Sequence, residues 1–318
     1  MQMHALTLKA GAAAALILAL AWQQPLLATA DRGKECPSCG SPSWSADGQW
    51  IAFDSDHADG KYHVWKIRTD GTSLTRLTPS DQEDTDPAWS PDGQQIAFSR
   101  GEEQNVQVWT MLGDGSQAAK LTTYSCINCY PAWSRDNWTL AFVTDRGGGW
   151  DILTVTMDGQ EGFYLAASAK QELHPSWSPD GSWIAFERGD VPETGLRFNI
   201  WKARVGTTQR VQVTTGECME CDPAWNPTQD LIAFDSDRDG SVKLWLVNAD
   251  GTNLRRVTSQ PMPFVETEPA WSPDGTKIAF LGERQYGGEI WIVNADGTGL
   301  TQVTHLTEPP RSHRASPG

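Results

Sequence analysis

Pro87-Ala88-Trp89-Ser90-Pro91-Asp92-Gly93, followed by Ile96-Ala97-Phe98, is the stretch that decides the fold, because the chain carries six versions of it. The copies place Trp at positions 44, 89, 133, 177, 225 and 271, with gaps of 45, 44, 44, 48 and 46 residues. Each Trp has Pro two positions earlier. Seven positions later comes Ile or Leu followed by Ala-Phe, at Ile51, Ile96, Leu140, Ile184, Ile232 and Ile278. A period of this length marks a supersecondary unit that buries its apolar face only by stacking on its neighbours.

Within the second copy, Pro87 to Ser90 reads as a short strand and Pro91-Asp92-Gly93 as a tight turn. Pro presets φ at the first central position of such a turn and Gly accepts positive φ at its end. Gln94 to Arg100 is a second strand with Ile96-Ala97-Phe98 as core. Val106 to Met111 is a third with Trp109 inside, and Ala118 to Thr122 is a fourth after Gly113-Asp114-Gly115. No helical periodicity of useful length appears. Third-strand aromatics recur at Trp65, Trp109, Trp201, Trp245 and Trp291. Sixteen Trp residues in 318 call for a structural use, and rings wedged between adjacent sheets provide one.

Six four-stranded units without helices predict an all-β fold, a six-bladed β-propeller of antiparallel blades spanning residues 42–304. No spare strand stands at either end, so ring closure should rest on packing between the first and sixth blades. Asn137 and Gln229 replace the turn Gly in copies three and five. Asn tolerates positive φ, whereas Gln should be strained or differently turned.

The phrases Pro87 to Gly93 and Ile96-Ala97-Phe98, together with Val293-Asn294-Ala295-Asp296-Gly297-Thr298 and Val303-Thr304, resemble the repeat of the TolB-family propeller. The likeness covers about Pro42 to Thr304. It implies a periplasmic six-bladed propeller whose namesake binds the peptidoglycan-associated lipoprotein. That namesake has an α/β domain before the propeller. Here about ten residues lie between Asp31 and the first copy, so the resemblance is to the propeller alone.

Residues 1–30 read as a signal peptide: Lys9, the apolar stretch Ala10 to Trp22, and a small-residue cleavage site at Ala28-Thr29-Ala30. Residues 31–41 are a lead-in and 305–318 a disordered tail. Export to the periplasm or beyond follows. Without the signal the chain holds 24 basic and 40 acidic residues, a net charge of −16. Such acidity disfavours nucleic acid and anionic membranes and permits a basic partner or a bound cation. After cleavage no stable membrane insertion is expected, and the protein should be a monomer.

Strand counting assigns the loops to two faces. The Ser-Pro-Asp-Gly and Ala-Asp-Gly turns share a short, uniform face. The inter-blade loops and the loops between second and third strands share a varied one, where function should sit. Its inner ring is the residue before each Pro: Asp86, Tyr130, His174, Asp222 and Glu268, with Ser41 in copy one. One reading makes these residues structural caps. The sharper reading makes them the partner-binding mouth, holding a cation or basic side chain.

All six cysteines fall beside this ring as Cys-x-x-Cys pairs in copies one, three and five. No pair is followed by His, which disfavours haem attachment. Export favours oxidation, and bridges between pairs would have to span a blade against a Cα limit of about 7 Å. Local bridges Cys36–Cys39, Cys126–Cys129 and Cys218–Cys221 are therefore expected, with a redox-active disulfide as the alternative. Asp235, Asp237 and Asp239, before Gly240, have the spacing of a calcium loop, and Asp54-Ser55-Asp56-His57-Ala58-Asp59-Gly60 nearly does. Leu246 stands where the bidentate Glu of such a loop belongs, so the plain turn is favoured over a Ca2+ site.

No His-Glu-x-x-His, Gly-x-Ser-x-Gly or phosphate loop occurs. The leading expectation is a non-enzymatic interaction scaffold of the cell envelope, TolB-like, with a peptidoglycan-associated lipoprotein as candidate partner. The alternative is a metal-assisted carbohydrate or peptide lyase or hydrolase centred on the channel mouth.

Overall fold

In the computed structural model, residues 39–101, 105–165, 170–190, 197–258, 263–284 and 287–306 are described. Residues 1–30, where a signal peptide is expected, Cys36 and the residues from 307 onward lie outside them. Six four-stranded antiparallel sheets follow one another along the chain, each with its strands in sequence order. This is the six-bladed propeller that the repeat predicts. Among the described residues there is no helix, and so none long and apolar enough to cross a membrane.

The innermost strands are Cys39–Trp44, Asp84–Trp89, Asn128–Trp133, Gln171–Trp177, Glu220–Trp225 and Val265–Trp271. They surround a channel of about 350 Å³. The Ala-Phe pairs sit on the second strands, and Phe53, Phe98, Phe142, Phe186, Phe234 and Phe280 are completely buried. Each such ring contributes about 1.5–3 kcal/mol by leaving water. The third-strand Trp rings are less enclosed than the sequence suggests. Arg guanidinium groups cover three of them, Arg100 over Trp109, Arg188 over Trp201 and Arg238 over Trp245. Fourth strands are short, two residues in four of the six blades.

The conserved spacing of the repeat Trp has a specific use. Trp133, Trp177 and Trp271 each donate their indole N–H to the carbonyl of Ala88, Ala132 and Ala224 on the preceding blade, at 3.0–3.1 Å. Trp44 makes the same bond to Ala270 O at 3.1 Å, so blade one grips blade six as any blade grips its neighbour. Ile51, Phe53 and Ile67 share a core with Ala279, Ile290 and Ile292 across that joint. Closure therefore rests on packing, without strand exchange. Where Ser replaces the Ala, at Ser43 and Ser176, its hydroxyl instead accepts the backbone N–H of Trp89 or Trp225. Those two indole nitrogens have no partner.

The substituted turns behave as their chemistry dictates. Asn137 takes φ 55° in place of Gly. Gln229 does not adopt positive φ; the turn is rebuilt around Asn226, whose side-chain oxygen accepts the Thr228 N–H at 2.9 Å.

Candidate functional site: the acidic channel mouth

Each innermost strand slips register in the same place. Thr85 pairs with Ser99 and Ala88 with Ala97, leaving Asp86 and Pro87 opposite Phe98 alone. This is a β-bulge, and Pro is tolerated there because no ladder N–H is required of it. The residue before Pro is driven to positive φ: Ser41 47°, Asp86 54°, Tyr130 53°, His174 49°, Asp222 51° and Glu268 53°. The bulge turns these side chains into the channel, so the ring expected from the sequence is assembled as one constellation. Positive φ is common to all six, which makes it a device of the repeat and not a mark of any one residue.

A second ring was not read from the sequence. It is the residue directly after each Ala-Phe: Asp54, Ser99, Val143, Glu187, Asp235 and Leu281. Three of these accept the backbone N–H of the next blade's bulge residue. Asp54 Oδ2 takes Asp86 N–H at 2.9 Å, Ser99 Oγ takes Tyr130 N–H at 3.2 Å, and Glu187 Oε2 takes Asp222 N–H at 3.0 Å. The signal was available, since this position follows an invariant pair in every copy. The Asp-rich spacing that follows Asp54 and Asp235 points instead to loops.

The two rings together hold six carboxyls (Asp54, Asp86, Glu187, Asp222, Asp235, Glu268) and one imidazole. His174 Nδ1 lies 3.0 Å from Asp222 Oδ1 and 3.2 Å from Glu187 Oε1. The Tyr130 ring meets the His174 ring edge-on, with centroids 4.2 Å apart. Surrounding protein shields these groups from bulk water, while about a fifth of the His174 and Asp222 side chains faces the lumen. Burial disfavours the imidazolium, but Asp222 and Glu187 outweigh it and hold the His174 pKa well above its ordinary value. Burial would raise Asp222, and the His174 charge overrides that and lowers it. Asp235, buried and beside the Asp222 charge, is pushed well above the carboxylate range. Glu268 is raised by burial and by Asp222, and Asp54 is pushed up to about 7 by burial and by Asp86. Asp86 is also raised by burial. Six carboxyls thus crowd round one cation, and that shortage of positive charge, together with burial, keeps Asp54, Asp86, Asp235 and Glu268 raised.

At the opposite end the channel is crossed by Arg135, whose guanidinium donates to Pro227 O at 2.6 Å.

Several expectations need correction. The carboxylates of the proposed calcium loop do not converge. Asp235 turns inward against Asp222, Asp237 Oδ1 accepts the Met219 N–H at 3.0 Å, and Asp239 lies 3.7 Å from Arg256. The first loop divides likewise: Asp54 faces the channel mouth and Asp59 pairs with His63 and Arg76. Asp84, Glu220 and Glu266, each two residues before a ring position, are fully buried and paired with Arg100, Arg238 and Lys243. They hold strands together and project no net charge.

The expected bridges Cys126–Cys129 and Cys218–Cys221 are absent; these residues and Cys39 are free thiols. Cys126 Sγ lies 3.7 Å from Asn128 Oδ1 and 3.6 Å from Thr144 Oγ1. Asn128 and Thr144 are register partners, so strand alternation sends Cys129 to the other face of the sheet, away from Cys126. Cys221 is likewise buried on its strand beside Glu187.

The comparisons with known proteins agree with this architecture. The TolB of Acinetobacter baumannii superposes with a TM-score of 0.62 at 17% identity, over 82% of this chain and 62% of that one. The tricorn protease gives a TM-score of 0.66 at 17% identity, over 89% of this chain and 27% of that one. The β-propeller domain of the trilobed protease from Pyrococcus furiosus, described as having an open velcro topology, gives 0.57 at 12% identity. That match covers 86% of this chain and 100% of that one. An uncharacterized protein of Agrobacterium fabrum is 44% identical over 39 residues, 12% of this chain and 13% of its own length. The chain therefore spans less than two thirds of these relatives, apart from the isolated P. furiosus domain. At such identities the structures establish the fold and nothing about chemistry. The TolB beta propeller domain pattern matches residues 83–193 and 149–317, most of the chain, and with the six blades described above it places the protein in the TolB beta propeller domain family.

Proposed function

We propose that this protein is a non-enzymatic interaction module of the cell envelope that receives a basic segment of a partner protein at the acidic mouth of its channel. The observation that carries this reading is the charge imbalance of the mouth. Six carboxyls face one imidazole there, whereas Asp84, Glu172, Glu220 and Glu266 on the same strands each have a Lys or Arg of their own. A concave negative surface raises the local concentration of cationic side chains and speeds their encounter. Family membership supports an envelope location, and a peptidoglycan-associated type of lipoprotein is the candidate partner.

The test is association kinetics with that partner at several ionic strengths. Asp86→Lys with Glu268→Lys, which adds positive charge to the mouth, should slow association about tenfold at low salt and flatten its salt dependence. Asp92→Lys, on the exposed uniform face, should leave the rate within about twofold. Equal losses from both faces would refute the mouth as the docking surface.

A further inference from the structure

We propose that His174, Glu187 and Asp222 form a binding site for a divalent transition-metal cation at the junction of the fourth and fifth blades, with Asp235 as a supporting carboxylate. Among the described residues, these three are the His, Cys, Asp or Glu side chains whose donor atoms gather within 4.8 Å of one another. The spacing suits coordination better than hydrogen bonding. One imidazole N–H shared between two acceptors gives neither a full-strength hydrogen bond, and His174 Nδ1 is poorly aligned with both Asp222 and Glu187 despite separations of 3.0 and 3.2 Å. Such separations match the edge of an octahedron with metal–ligand bonds of about 2.1 Å, whose cis donors stand about 3.0 Å apart. One imidazole with two carboxylates is a donor set for first-row divalent ions such as Mn2+ or Zn2+.

The ligands are held in place by their other atoms. Glu187 Oε2 is anchored by the Asp222 backbone N–H, which leaves Oε1 toward His174. His174 is fixed by the Tyr130 ring and by its bulge. This is the outer support that metal-binding side chains need. A separate observation comes from Asp235. It is 3% exposed, its carboxyl lies against those of Asp222 and Glu187, and its Oδ1 has no hydrogen-bond partner. Asp235 reaches Asp222 through one hydrogen bond, and a cation beside the three convergent ligands would satisfy the oxygen left over. The remaining coordination positions would open into the channel lumen, where water fits.

The site is specific to this junction. The equivalent positions between blades two and three are Asp86, Ser99, Tyr130 and Val143, which offer one carboxylate and no imidazole. It also stands apart from the docking proposal, because it is read on the protein alone.

The experiment is titration of metal-stripped full-length protein with Mn2+ and with Zn2+, followed by calorimetry. For Mn2+ it is paired with detection of nitrogen coupling by electron spin echo. One ion per chain is expected, with a nitrogen signal that vanishes in His174→Ala. His174→Ala and Asp222→Asn should weaken binding about 100-fold and Asp235→Asn about tenfold. Asp222→Asn keeps the side-chain shape, and thermal melts of each variant separate lost binding from lost folding. Asp86→Asn, an acid of the same ring outside the cluster, should weaken binding about threefold at most. Absence of binding, equal losses in Asp86→Asn and His174→Ala, or a bound Mn2+ without nitrogen coupling would each overturn the site. These outcomes are read without a partner present, so failure of the site and failure of the docking reading are distinguishable.

Discussion

On four of the inner strands two acids or an acid and a histidine stand two residues apart: Asp84 and Asp86, Glu172 and His174, Glu220 and Asp222, Glu266 and Glu268. The first of each pair lies in the body of its blade, completely buried, with Arg100, Arg188, Arg238 or Lys243 beside it. The second sits on the bulge, turned into the channel, with no Lys or Arg paired to it among the described residues. Period-two alternation would put both on one side of the sheet. The bulge between them breaks that alternation and separates a structural charge from an available one. The same strand thus carries a residue that the fold requires and a residue that the fold merely tolerates.

The difference can be broken most directly at Glu266 and Glu268. Glu266 accepts from Lys243 Nζ at 3.2 Å and Thr258 Oγ1 at 2.6 Å. Glu266→Ala leaves a buried cation unpaired and should cost about 3–5 kcal/mol in chemical denaturation. Glu268→Gln should cost less than half of that. Equal costs would erase the distinction between the two positions.

The pH dependence of stability sharpens it. A carboxyl whose folded pKa is raised binds more protons in the native state than in the unfolded state, so its contribution to stability falls as pH rises between the two values. Asp54, at about 7 when folded, loses stability from its unfolded value near 4 up to about 7. Asp235 and Glu268 act in the same direction. His174, raised by Asp222 and Glu187 against burial, gives stability that is full below its unfolded pKa and lost as pH rises through the folded one. The lowered Asp222 acts oppositely, but only in acid below the unfolded carboxylate range. The protein should therefore be more stable at pH 5 than at pH 8. Asp54→Asn should remove roughly 2–3 kcal/mol of that difference. A pH profile unchanged by Asp54→Asn would mean that the mouth is neutralised in some other way.

On two strands a cysteine stands directly before the bulge residue, and its reactivity provides a finer probe. Cys129 and Cys221 sit beside Tyr130 and Asp222, and burial pushes both thiols well above their usual pKa. Cys126 and Cys218, in the loops, are part-exposed. Under native conditions a thiol reagent should label Cys126 and Cys218 first, and Cys129 and Cys221 only after denaturant is added. Labelling followed by peptide mapping decides it, and early modification of Cys221 would show a looser mouth than the one described. The smallest effect is expected on the rim. Asp239 is half exposed and only 3.7 Å from Arg256, so Asp239→Asn should shift stability within about 0.5 kcal/mol.

The repeat phrase alone determined the blades, their number, their strand order and the ring before each Pro, because a period near 45 residues and an alternation of two are written in the order of side chains. It also located the face where the variable residues gather. What it could not reveal was partnership across blades. Glu187 meets Asp222 over a separation of 35 residues, and Asp54 meets Asp86 over 32. No local pattern reports which acid will be given a guanidinium and which will not. The Cys-x-x-Cys pairs misled for the same reason, and chain spacing alone left the Asp-rich loops open to a calcium reading. Spacing along the chain suggested convergence, while strand pairing sent Asp235 toward Asp222 and placed Cys126 and Cys129 on different faces. Hydrogen-bond register and burial set the direction in which each side chain points, and both are properties of the closed ring. The sequence therefore supplied the scaffold and the list of available groups, and the tertiary structure decided which of them stand together without a counter-charge.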